Sequence, residues 1–330
     1  MIAHAFPFSD TARMHSGVKF NPFARNYFVV ACSTGAPEPG QFLDVRHLGE
    51  LFCLVLGVFY GKRFHNHGSL EENGFYGLPI TDEIRTTRYP ETCFSNDEPR
   101  PDLEIPLDLS RFGAVSDLVF APTERWWPTF RAAGVHYLEA IRSFDYQPEI
   151  AYLHLVTAGE ILGYYYEYPD EALYDDALLG LLRQVGDDPK YENYIDRIRK
   201  LAYQVKRRFT ITLARLLNED FFAVRQSSEP ECALDSKSIS ARLGAAYDLR
   251  SQYLHTGASF ARWLHPFHGL NREVHLKGPR LKGTDIDRLA QKAPTFEGLE
   301  RLMRYCILRF AHTNGFSIDP RLGDNESSKL

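Results

Sequence analysis

Hydrophobic positions alternate with polar ones, or gather in short blocks, through the first third of the chain, and beyond about Pro122 they recur every three or four residues. The alternation predicts strands over NYFVVACS (26–33), DEIRTTRY (82–89), DLEIPLDL (102–109) and SDLVFAP (116–122), with one helix over VRHLGELFCLVLGVFYG (45–61). The Pro-bearing stretch 91–102 reads as a surface loop between strands. Residues 1–121 are therefore expected to form an α+β domain. The later spacing predicts helices over 123–144, 148–168, 191–217, 235–257 and 295–315, an all-α bundle spanning 122–318. Gly- and Pro-rich segments 169–190 and 258–293 read as loops, and DPRLGDNESSKL (319–330) as a mobile tail. Asp235 and Thr295 stand where helix caps belong, and Gly257 where a helix stops.

Two charges break the pattern. The helix over 148–168 is apolar on nearly every face, which predicts a central helix covered on all sides, yet Glu160 sits in its middle. In the helix over 235–257, Arg250 falls within the arc of Ile239, Leu243, Ala246, Leu249, Tyr253 and Leu254. An ionised group removed from water needs a partner or it neutralises. Glu160 and Arg250 are therefore expected to pair across the bundle. Asp248, Ser251 and His255 lie on the polar side of the same helix, and His255 is about 140° around the axis from Arg250.

The stretch AAYDLRSQYLHTG, with its Arg-Ser-x3-His-x-Gly run at a helix end, resembles the signature helix of the HEPN superfamily ribonucleases. AYLHLVTAGEILGYYY resembles the acid-bearing helix that opens this domain in the ApeA-like branch, with Glu160 in the acid's place, and the closing helix FEGLERLMRYCILRFAH fits as well. The resemblance implies a helical bundle that forms a homodimer through the Arg250–His255 helix. It also implies metal-independent RNA cleavage without a cofactor, and a role as a toxin or antiviral defence effector. On that reading Arg250 binds phosphate, His255 acts as acid and base, and Glu160, Asp248 and Ser251 support them. HEPN toxins silenced by nucleotide transfer carry a Tyr two residues after the His; Gly257 stands there instead, which argues against that control. The alternative is a non-catalytic HEPN module that binds a nucleotide or a partner, with residues 1–121 as a sensor for an unknown ligand or protein.

Charge and cysteine content narrow the setting. A formal net charge of −5 leaves RNA binding to a local patch. Arg197, Lys200, Gln204, Arg207 and Arg208, widened by Lys206, follow one predicted helical stripe, and HLKGPRLKG (275–283) is a second basic stretch. Five scattered cysteines suggest neither a disulfide framework nor zinc and fit a reducing cytosol. His65 with His67, and His265 with His268, lack a nearby Cys or acid at ligand spacing, so no metal site is expected there. Ser251, His255 and Asp248 share one helix with no nucleophile elbow, which argues against a Ser-His-Asp hydrolase. Trp126, Trp127 and Tyr164 to Tyr166 read as core aromatics. No signal peptide or membrane-spanning run is evident, which predicts a cytoplasmic protein.

Overall fold

A computed structural model of the chain describes residues 2–5, 27–30, 45–66, 68, 71–72, 75–76, 113–119, 124–144, 146–186, 194–195, 197–198, 204–227, 229–264, 271–276 and 284–316. Among these residues the architecture is a helical bundle. Strands β1 (Ile2–Ala5) and β2 (Tyr27–Val30) pair antiparallel, as do the two-residue β3 (Glu71–Glu72) and β4 (Phe75–Tyr76). Of the strand predicted over 26–33, residues 27–30 are described and form β2. Those predicted over 82–89 and 102–109 lie outside the described residues, as does the 319–330 tail.

Helix α1 (Val45–Tyr60) packs on α2 (Gly113–Val119) and α3 (Trp127–Ser143). Phe52 to Leu56 and Val58 to Tyr60 are buried in the same core cluster as the later helices, so the first third contributes a helix to the bundle. The short link 144–147 folds α4 (Pro148–Tyr165) back along α3, with Pro148 in the first turn, where its missing N–H leaves no bond unmade. Helices α5 (Asp170–Leu173) and α6 (Asp176–Gly186) carry a small separate cluster of Leu173, Tyr174 and Leu182. Next come α7 (Val205–Leu216) and α8 (Glu219–Ala223), then α9 (Ile239–Thr256), α10 (Asp285–Lys292) and α11 (Phe296–Thr313).

Several sequence expectations are corrected. SDLVFAP was predicted as a strand, but residues 113–119 form α2, because Leu118 and Val119 meet α1 from one helical face. The loops predicted over 169–190 and 258–293 contain α5, α6 and α10. The helix predicted over 191–217 is broken at Gln204, whose ψ of 68° leaves the helical region, so Arg197 is not on one continuous stripe with Lys206 to Arg208. Finally, α4 is not covered all round. His154, Thr157, Glu160 and Ile161 are half-buried and Tyr164 is 60% exposed, so that ring does not belong to the core. The helix enclosed on nearly every side is α11, where even Glu297, Glu300, Arg301 and Arg304 are buried.

Those buried charges have partners. Arg301 pairs with Glu273 at 2.6 Å, and both side chains are 4% exposed. The Arg301 Nη2 donates to the carbonyls of Phe221 (2.7 Å) and Val224 (2.6 Å), and its guanidinium lies 4.1 Å from the Phe221 ring centroid. The second Glu273 oxygen accepts the Leu234 N–H at 2.6 Å. Glu300 accepts from the buried Tyr137 hydroxyl, and Arg304 donates to the Phe59 carbonyl at 3.3 Å.

Candidate active site

Glu160 and Arg250 meet as their positions in the sequence predict. Arg250 Nη2 lies 3.1 Å from Glu160 Oε2, with side chains 21% and 11% exposed. The arc on α9 explains this half-burial. Ile239, Leu243, Ala246 and Leu249 are buried, but the sector thins toward the helix end, where Leu254 is 54% exposed rather than in the core. Arg250 sits at that margin, one turn after Tyr247, and both side chains meet Glu160 on α4.

Tyr247 completes the group. Its hydroxyl hydrogen-bonds the Glu160 carboxylate, and the Arg250 guanidinium carbon lies 5.8 Å from its ring centroid. Burial pushes the Glu160 carboxyl above its ordinary range, opposed by Arg250 and by the Tyr247 bond. Burial, then the nearby Glu160 charge, raises Tyr247. Arg250 Nε is enclosed without an acceptor, a condition that costs about 1–3 kcal/mol for a buried donor. The pair is thus a positioned charge and weak as a stabilising device.

A pH dependence follows from the raised carboxyl. The unfolded chain ionises first as pH rises, so the Glu160 contribution to stability is complete below about pH 4 and is lost as pH climbs through the folded value. Glu160→Gln is expected to flatten this component. Urea unfolding of both proteins at several pH values between 4 and 7 checks it, and parallel stability curves would refute it.

His255 occupies the last turn of α9 and is exposed. Gly257 ends the helix in the left-handed conformation, φ 67°, its N–H bonded to the Tyr253 carbonyl at 2.8 Å. No hydrogen bond or ion pair holds the imidazole among the described residues, which leaves it open to solvent and to a ligand. Along the axis it lies about 7.5 Å beyond Arg250.

The supporting residues divide. Both Asp248 oxygens lie 2.7 Å from Lys206 Nζ on α7, so this carboxylate is committed to the α7–α9 contact. It also lies seven residues from His255, about 10 Å along the helix, too far to orient that ring. Ser251 is half-buried on the same side. Of the predicted basic stripe, Arg207 Nε donates to the Ala172 carbonyl at 2.8 Å and Arg208 Nη1 to the Tyr166 carbonyl at 3.3 Å. Arg197 is exposed and helical, and Lys200 lies outside the described residues.

Two features escaped the sequence reading. Tyr247 stands one turn before Arg250, and that spacing is a signal that could have found it. The contact of His136 with His154, on separate helices, has no linear signature. Among the described residues no group of three or more His, Cys, Asp or Glu is placed to hold a metal ion, and no helix is long and apolar enough to cross a membrane. Comparison with protein-family models, with curated proteins and with solved structures finds no match.

Proposed function

We propose that the chain is a metal-independent endoribonuclease of the HEPN kind. Arg250 is its phosphate-binding residue and His255 its acid and base, and the site is composite, formed where two copies of the α9 end meet. The observation that carries this reading is the Glu160–Arg250 pair. It holds a permanently charged, fork-shaped group at the margin of the core, about 1.4 turns before an exposed imidazole. In the reaction the ribose 2'-oxygen bonds to phosphorus as its proton passes to an imidazole, and the phosphorus–O5' bond breaks as that oxygen takes a proton. The products are a 2',3'-cyclic phosphate and a 5'-hydroxyl. Arg250 would stabilise the charge on the phosphate oxygens.

Arg197, Lys200, Lys206, Arg207 and Arg208 would supply further RNA contacts, and the parts of residues 1–121 outside α1 and α2 would form the α+β sensor, seated on the bundle through those two helices. A cytoplasmic toxin or antiviral defence effector is the setting that fits this activity. The second reading is a non-catalytic module that binds a nucleotide or partner. It is favoured by one observation: Lys206, Arg207 and Arg208 are already engaged within the chain.

Incubation with total RNA in EDTA separates the two. Cleavage is expected to survive chelation, and His255→Ala to lower its rate by about 10²–10⁴-fold. Arg250→Ala is expected to abolish it. Light scattering should give a dimer. Absence of cleavage across a broad RNA set favours the binding module, and a strict monomer refutes the composite site.

A further inference from the structure

His136 on α3 and His154 on α4 face each other at the solvent edge of the seam between their helices. Their Nδ1 atoms are 2.9 Å apart, with ring centroids separated by 5.2 Å and planes inclined by 37°. The difference between these two separations is what two imidazole radii account for, so the rings meet head-on with one proton between two nitrogens. Both rings are half-buried, and burial, the largest cause in each, lowers their proton affinity. The neutral imidazole is the form that binds a metal ion. Glu139, one turn beyond His136, exerts a negative potential on both rings while bonded to Arg142 at 2.8 Å.

The geometry points to a two-histidine clip in which His136 and His154 bind one late first-row divalent cation, such as Zn²⁺ or Ni²⁺, and join α3 to α4. Imidazole nitrogens suit these ions. At metal–nitrogen distances of about 2.0–2.1 Å, two ligands of a tetrahedral ion sit about 3.3–3.4 Å apart. The rings reach that separation by tilting on their present centres. The shared proton then moves to Nε2 of its own ring through solvent, both Nδ1 lone pairs go to the ion, and the protein's charge is unchanged. With two protein ligands, water fills the other positions, which the half-exposed seam admits. The clip is independent of the nuclease reading, since His154 lies six residues before Glu160 and about 120° around α4.

The test uses the full chain, stripped of metal with EDTA and exchanged into buffer. Titration with ZnCl₂ or NiCl₂ by calorimetry is expected to show one equivalent bound, with a rise in melting temperature. His136→Asn and His154→Asn should each abolish both effects. Long-range ¹H–¹⁵N spectra of the unsubstituted protein provide a second reading that needs no variant: Zn²⁺ should shift the Nδ1 signals of these two rings together. No binding, binding that survives either substitution, or shifts confined to other histidines would overturn the proposal.

Discussion

Arg301→Ala is expected to destabilise the protein by about 3–5 kcal/mol, the range for removing one member of a buried ion pair. The loss exceeds that of the pair alone. Glu273 keeps its Leu234 contact but loses its counter-charge, and the carbonyls of Phe221 and Val224 lose a shared donor. An exposed pair is worth about 0–1 kcal/mol, so burial decides the magnitude here. Equilibrium urea unfolding measures it, and a loss under about 1 kcal/mol would show that water already reaches the pair. The double variant Glu273→Leu with Arg301→Met should be more stable than either single one, because it strands no charge.

Gly298→Ala is the second large effect. A Cβ at this position would lie 2.1 Å from the Glu273 carbonyl oxygen and 2.8 Å from its carbonyl carbon, and both are backbone atoms that cannot swing away. The Glu273 carbonyl also accepts the Thr295 N–H at 3.0 Å, and the Thr295 hydroxyl accepts the Gly298 N–H at 3.1 Å. Seating an alanine would lift the first turn of α11 off residues 272–274. Alanine gains about 1 kcal/mol over glycine in a helix, whereas overpacking costs about 1–3 kcal/mol and sits at the upper end where the obstacle is backbone, so the clash wins. Thermal unfolding should show a clear fall in melting temperature; an unchanged or higher value would mean that the segment gives way freely.

The Glu160–Arg250 pair was legible in the sequence because each charge interrupts an apolar helical pattern with no local partner. The charges of α11 were not. Glu297, Glu300, Arg301 and Arg304 follow spacings of three and four, a stripe that periodicity alone assigns to water. They are buried because distant segments bring what they need: Glu273, the Tyr137 hydroxyl and the carbonyls of Phe59, Phe221 and Val224. The break at Gln204 was hidden because the neighbouring residues all suit a helix. SDLVFAP misled because a short apolar block fits either a strand or one helical face, and α1 selects the helix. At the candidate site, the helix end and its glycine were readable, whereas the engagement of Asp248 by Lys206 depends on how α7 lies against α9.

The Arg301 contacts also bear on the order of folding. Its partners come from residues 221, 224 and 273, and Glu273 in turn holds Leu234, so the guanidinium has nothing to gain until separated stretches of chain have converged. Such an interaction is expected to form after the rate-limiting barrier, and refolding and unfolding rates of Arg301→Ala test this. Weakening it should leave the refolding rate nearly constant and shorten the lifetime of the native state, which makes this residue a kinetic lock.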